Sequence, residues 1–435
     1  MGLDANCLLS SVVNQGLFQV LSMTNEQRKV FIVGACALLF FLSNFYRMSG
    51  AVISPQLTRE LQLSPDQLGI LAAAFFYAFA LIQIPIGILL DKFGARIIMP
   101  VFSLIGSGGA MVFAGSTGVN GLIAGRVLLG IGMASNLMGP LKLFTEWFRP
   151  NYFATVSGLL LAVGTLGNMS ATSPLVLMVN AIGWRASFSV MGVITAILAV
   201  CFFLVVRDRP VQAEASPEWE KRKRDATSSF DSMKSIFTSP NYWLISGATF
   251  LRYGTTTAVQ ALWAGPFLMT ILCISPMATG NILLMLSIGY VAGSPFSGFI
   301  SDRILRARKT TLIVGLGTMA AGLLALPLYP HDSVIWLSLI FFAIGFGSSF
   351  GQIMYAHIKE LFPSHMSGTA MTGINFFTMM GAGVFIHGFG EILESGYLAF
   401  LAPGTAYRMA FFLCFVAALT AVGLYAFTKD VIIHT

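Results

Sequence analysis

The stretch LSPDQLGILAAAFFYAFALIQIPIGILLD at residues 63–91 has a counterpart in ISPMATGNILLMLSIGYVAGSPFSGFISD at residues 274–302. In each, an Asp follows the serine of a Ser-Pro by 27 residues, Ser64 to Asp91 and Ser275 to Asp302. A glycine stands four residues before each Asp, Gly87 in one copy and Gly298 in the other. Downstream, KLFTEWF at 142–148 resembles AHIKELF at 356–362, and the offset between copies changes only from 211 to 214 residues. Two matches at a near-constant offset describe one unit used twice. Such a duplication implies two bundles around a central cavity, with binding near the midplane and rocking between two access states.

Outward from this pair, apolar runs occupy residues 30–56, 68–90, 97–117, 120–145, 152–178, 184–206, 241–271, 277–300, 310–329, 334–358, 366–390 and 407–428. A helical span takes about 20 residues, so twelve take about 240. Hydrophobic residues make up 56% of the 435, about 244. Charged residues are only 10%, against about a quarter in a soluble protein. A soluble multidomain enzyme, a disordered chain and a nucleic-acid binder are excluded. A single-span receptor is excluded because the runs fill the whole chain. The expected fold is an all-α membrane protein, with twelve transmembrane helices in two pseudo-symmetric six-helix bundles. Residues 1–28 read as an N-terminal extension, 29–206 as the first bundle, 207–240 as a polar linker, 241–428 as the second bundle and 429–435 as a tail.

Lys and Arg set the orientation. With the N-terminus inside, 18 of the 25 basic residues fall on the inner side, three outside (Arg59, Arg185, Arg408) and four within spans. Both termini are therefore expected in the cytoplasm, with the protein in a bacterial-type inner membrane as a monomer. The net charge of +7 needs no nucleic-acid partner, and KRKR at 221–224 reads as a solvated topogenic run. The five cysteines show no CxxC and no Cys/His cluster, so no metal site or cofactor is expected.

The four basic residues within spans are Arg47, Arg126, Lys142 and Arg252. An Arg at the bilayer centre costs about 2.5–3.5 kcal/mol on insertion scales, so each needs a reason. Arg47 in NFYRMSG and Arg252 in TFLRYGT lie on the first spans of the two halves. Facing each other across the cavity, two guanidiniums hold a phosphate or carboxylate bidentately. None of the 18 Asp and Glu falls in mid-span. The deep ionisable groups are all cations, which favours a small organic anion or zwitterion as ligand. Tyr46, Gln260, Trp263, Gln352 and Asn375 are further candidates to line the cavity. Arg126 is a candidate supporting or coupling group, with Lys142, Glu146 and His357 nearer the inner edge. Gly87, Asp91 and Arg96, with Gly298, Asp302 and Arg303, form two candidate inner gates.

Several of these stretches resemble the major facilitator superfamily. GILLDKFGARI at 87–97 resembles its loop between the second and third spans, and GFISDRILRARK at 298–309 its second copy. GRVLLGIGMA at 125–134 resembles the fourth-span signature. TEWFRPNYFATVSG at 145–158 and GWRASF at 183–188 are similar to the organic-anion branches, the anion:cation symporters and organophosphate antiporters. The resemblance covers about residues 29–430 and departs from the symporters at Met133, where a Glu is usual. It implies a secondary transporter working by alternating access, with Arg47 and Arg252 as anion clamps. Each negative charge carried inward works against about 2.3 kcal/mol per 100 mV, so uptake calls for proton symport or anion exchange. Two rival readings share the fold: an exporter of drug-like or siderophore-type compounds, and a non-transporting membrane sensor.

Overall fold

The computed structural model describes residues 24–209, 235–328, 333–362, 364–395 and 402–430. The extension before residue 24, most of the linker and residues 431–435 lie outside these. Each Ser-Pro of the repeat starts a helix. Ser64 Oγ accepts from Gln67 N at 3.3 Å, and Gln67 Oε1 accepts from Ser64 N at 3.1 Å. This reciprocal cap, with Pro65 at the first helical position, begins the second span, Pro65–Phe93. Ser275 Oγ caps the eighth span with one half of that pair, accepting from Ala278 N at 3.3 Å ahead of Pro276–Phe299.

Ten helices among the described residues are long and apolar enough to cross a bilayer. Two other runs complete the twelve in altered form. The fifth is the helix Pro150–Ser170, broken at Ala171 and Thr172 and resumed at Ser173. The seventh starts as Pro240–Ala258 and passes through π turns at Val259–Trp263 and Phe267–Ile271. The first span is also interrupted: Asn25–Met48 ends at Ser49 and Gly50–Leu61 continues it. These interruptions escaped the hydropathy runs because an apolar segment stays apolar when its hydrogen-bond register shifts.

Two turns between spans depend on glycine. Gly94 and Gly183 have φ/ψ of 79°/161° and 78°/161°, a region essentially reserved for Gly. Gly183 separates the fifth span from the sixth. Gly94 lets the third span, Ala95–Gly115, meet Asp208 at the end of the sixth, where Asp208 Oδ1 accepts from Arg96 N at 2.9 Å. The second half repeats the device: Asp430 Oδ1 accepts from Lys309 N at 3.0 Å, at the start of the ninth span, Arg308–Leu328. A carboxylate against the positive end of a helix dipole is favourable in both places.

We call the side bearing residues 24 and 430 the terminal face and the other the far face. Buried apolar side chains form one cluster reaching across both bundles and a second confined to the terminal half of the first bundle. The bundles therefore share a core toward the far face and part toward the terminal face. Backbones close the far face. A Cβ on Gly50 would stand 2.6 Å from the Ala261 carbonyl oxygen, and one on Gly69 3.3 Å from Gly390 Cα. Ser173 and Asn281 bond across the same seam at 2.7 Å.

Inside the second bundle, a Cβ on Gly345 would fall within the van der Waals shell of the Leu286 carbonyl. Gly345→Ala forces the eighth and tenth spans apart, and overpacking of this kind costs about 1–3 kcal/mol. A lowered melting temperature in detergent, with or without ligand, is expected, and an unchanged one would contradict this packing.

The first span is tied to the sixth at the far face. Trp184 Nε1 donates to Glu60 Oε2 at 2.8 Å, and Arg185 pairs with the same carboxylate. The Trp184 hydrogen bond and then Arg185 hold the Glu60 carboxyl below its ordinary value. A depressed carboxylate stabilises the fold above its unfolded pKa, about 4.3, and the contribution is lost as pH falls below that. Trp184→Phe should therefore be less stable than the parent at pH 7, with the gap narrowing below pH ~4. Melting curves at the two pH values check it, and a gap that widens in acid would reverse the assignment.

Candidate functional site

Between the bundles lies a cavity of about 870 Å³. Its wall runs from Gln260 and Ser287 down to Leu90, Thr145 and Glu146 at the terminal ends of the second and fourth spans. With the far face closed, the cavity opens toward the terminal face. Arg47 and Arg252 both line it.

Arg252 is set by the tenth span. Its Nη1 donates to the Ser348 carbonyl at 2.9 Å and to Ser348 Oγ at 3.3 Å. That segment passes into a 3-10 turn at Phe350–Gln352. Any Cβ at Gly351 would overlap the guanidinium, so the glycine makes the space in which Arg252 lies. Arg47 comes from the end of the first helix, just before the interruption at Ser49. It donates to Tyr253 Oη at 3.4 Å and lies over the Phe79 ring at 5.1 Å. The Arg252 guanidinium lies 5.6 Å from the centre of the Tyr253 ring. Tyr253 thus stands between the two cations.

Both arginines are almost wholly buried, at 7% and 3% exposure. Neither pairs with a carboxylate among the described residues, and the Nε of each is buried without a hydrogen-bond partner. Among the described lining residues the cations are Arg47, Arg252 and Lys142, and the carboxylate is Glu146. Glu146 already faces Arg209 Nε at 3.4 Å, and Lys142 Nζ donates to the Leu90 carbonyl at 2.7 Å. At an effective dielectric of about 20, an anion about 4 Å from a cation gains about 4 kcal/mol. The deep part of this cavity holds two such cations, Arg47 and Arg252.

Three other expected residues share the wall. Gln260 donates to Ser287 Oγ at 3.0 Å, and Gln352 to Tyr290 Oη at 3.2 Å. Asn375 accepts from Tyr355 Oη at 3.3 Å while its Nδ2 is buried without a partner. Gly87 also lines the cavity.

The remaining candidates stand elsewhere. Tyr46 is fully buried inside the first bundle, its hydroxyl 3.1 Å from Thr195 Oγ1. Trp263 lies toward the far face, stacked on Phe389 at 5.3 Å with its Nε1 donating to the Ile386 carbonyl. Arg126 is 2% exposed and donates to the Tyr46 carbonyl at 2.9 Å. That carbonyl precedes the interruption of the first span, so Arg126 compensates a broken helix. His357 turns into the second bundle, against Tyr425 Oη and the Lys429 carbonyl. It ties the tenth span to the end of the twelfth and does not reach the cavity.

Of the gate candidates, the side chains of Asp91 and Asp302 lie outside those described. Arg96 is occupied with Asp208 and the Phe203 carbonyl, Arg303 is exposed, and Gly298 has open space beside it. Tyr253, Tyr290 and Ser348 were missed. Tyr253 directly follows Arg252, but hydropathy does not say which helix face meets the cavity.

The sequence profile of the Major Facilitator Superfamily matches residues 35–264 and 245–432. A probable sulfoacetate transporter of Cupriavidus necator is 27% identical over 374 residues, covering 81% of this chain and 86% of that protein. A probable L-galactonate transporter of Escherichia coli is 24% identical over 418 residues, covering 90% and 88%. The crystal structure of a bacterial homologue of the lysosomal transporter Spinster, inward-facing and occupied, superimposes with a TM-score of 0.73 at 18% identity. It covers 92% of this chain and 96% of that one.

Proposed function

This chain belongs to the Major Facilitator Superfamily, and from that premise we propose that it carries a small carboxylate or sulfonate by alternating access, gripped between Arg47 and Arg252. The observation that supports this best is the pair of buried guanidiniums flanking Tyr253, each lacking a carboxylate partner among the described residues. Relatives named for sulfoacetate and L-galactonate transport point to the same chemistry. The amide and hydroxyl groups of Gln260, Ser287, Tyr290 and Gln352 offer hydrogen bonds to a substrate's hydroxyls. A cavity of about 870 Å³ is ample for a molecule of this size.

The terminal face is taken as cytoplasmic, in the inner membrane of a bacterium. The described conformation is then the one that exchanges substrate with the cell interior. A proton or a counter-anion travels with the cycle, because each uncompensated negative charge would meet about 2.3 kcal/mol per 100 mV.

A thermal-shift panel on the purified protein tests the reading. It holds phosphate, sulfate, mono- and dicarboxylates, sugar acids, sulfonates, amino acids and dipeptides. A ligand at about 100 times its Kd stabilises by about 2.7 kcal/mol. Stabilisation by a carboxylate or sulfonate class, lost in Arg47→Ala, is expected. Equal stabilisation of parent and variant would make Arg47 structural and remove the proposal's main support.

A further inference from the structure

Asp66, His387 and Glu391 meet at the far face, outside the substrate cavity. Asp66 stands in the first turn of the second span, within the first bundle. His387 and Glu391 lie one turn apart on the eleventh span, Ser364–Glu394, within the second. One ligand atom from each lies within 4.8 Å of the other two. His387 Nε2 is 3.5 Å from Asp66 Oδ1 and 3.5 Å from Glu391 Oε1. Hydrogen bonds from nitrogen to oxygen are shorter, about 2.9–3.0 Å. Both are ion-pair contacts, and the same separation accommodates two ligands on one ion, since tetrahedral arms of about 2.1 Å place their ends about 3.4 Å apart.

Two further features suit an ion. Residues four apart on a helix present their ligand atoms on one face, as paired zinc ligands do. The backbones beside the group are also held at fixed separation. A Cβ on Gly69 would lie 3.3 Å from each of Gly390 Cα and the His387 and Ile386 carbonyl oxygens. The span carrying Asp66 is thereby fixed against the span carrying His387 by main chain rather than by flexible side chains. The three side chains remain accessible, at 34%, 28% and 64% exposure, which leaves a fourth coordination position for water.

The geometry points to a site for a divalent transition-metal ion such as Zn²⁺, held by Asp66, His387 and Glu391, that clamps the two bundles together at the far face. Asp66 belongs to one bundle and the other two ligands to the other, so the complete site exists only while the far face is closed. An ion that binds this conformation better than the other shifts the population toward it. Zn²⁺ on the far side therefore arrests the cycle, whichever anion is carried.

The test is a Zn²⁺ titration of the full purified chain followed by thermal shift, with Mg²⁺ as the hard-ion control. This readout is independent of the transport reading. Saturable stabilisation at micromolar Zn²⁺ is expected, with at least a tenfold weaker apparent affinity in each of His387→Ala, Glu391→Gln and Asp66→Asn. Glu391, the most exposed of the three, supplies a variant that leaves the packing intact. In proteoliposomes, Zn²⁺ at the far face should slow transport at least tenfold in the parent and far less in Asp66→Asn. No stabilisation of the parent, or stabilisation equal in the parent and Glu391→Gln, overturns the site. Weakening in the eleventh-span variants but not in Asp66→Asn reveals a one-helix chelate and overturns the clamp.

Discussion

Arg252→Ala is expected to remove transport and ligand-dependent stabilisation together. The guanidinium is 3% exposed, fixed by the Ser348 carbonyl and hydroxyl, and without a carboxylate partner among the described residues. A substrate anion bound there replaces the water the cation has lost. Truncating one partner of such a buried, hydrogen-bonded charge pair costs about 2–5 kcal/mol, or about 30-fold to several thousand-fold in affinity. Arg252→Lys should be almost as damaging, because an ammonium cannot bond Ser348 and an anion from one planar fork. The ligand-free melting temperature should hold, since the variant also relieves an uncompensated buried charge. Uptake into proteoliposomes and melting curves with and without ligand measure both effects. Transport within threefold of the parent in Arg252→Ala would place the anion elsewhere.

Gly265→Leu is expected to trap the opposite conformation. Gly265 lies in the seventh span between the two π turns, and a Cβ there would overlap the Ala51 carbonyl of the first span. Neither side can yield easily, because the obstacle is backbone. Gly50 meets Ala261 one turn away in the same seam. This contact joins the two bundles, so rocking apart at the far face relieves it without unfolding either one. Gly345→Ala differs because its clash lies inside one bundle and persists in both conformations. Gly265→Leu should therefore keep its melting temperature while transport falls at least tenfold. A cysteine placed at Ala51 should become reactive to a membrane-impermeant maleimide from the far face. A variant that melts early, or whose cysteine at residue 51 stays protected, would refute the seam as a gate.

Much of this architecture was legible in the chain. The Ser-Pro pairs at 64–65 and 275–276 marked the two copies of the repeat, and the fold makes each a helix start, because a capping hydroxyl and a proline act locally. The paired Asp and Gly spacings announced the duplication, because a repeat is a property of order along the chain. The absence of mid-span acids announced a cavity whose deep charged groups, among the described residues, are cations, because an uncompensated charge in a bilayer is too costly to be incidental. Arg47 and Arg252 followed from the same cost.

That cost did not say which way a side chain points. Arg126 and Arg252 are equally buried and equally conspicuous in sequence, yet one bonds the Tyr46 carbonyl inside the first bundle and the other borders the cavity. The difference is helix rotation, set by glycines such as Gly351 and Gly345 that let neighbouring backbones close in. His357 reads as an edge titrating group until the fold sets it against Tyr425 and Lys429. Asp66 and His387 are 321 residues apart and meet only because the second and eleventh spans touch at Gly69 and Gly390. Span number, span ends and the sign of the cavity follow from local chemistry and transfer energy, which composition and order carry. Which groups face one another, and on which side the molecule is open, follows from packing between distant helices, a non-local free energy that no single segment contains.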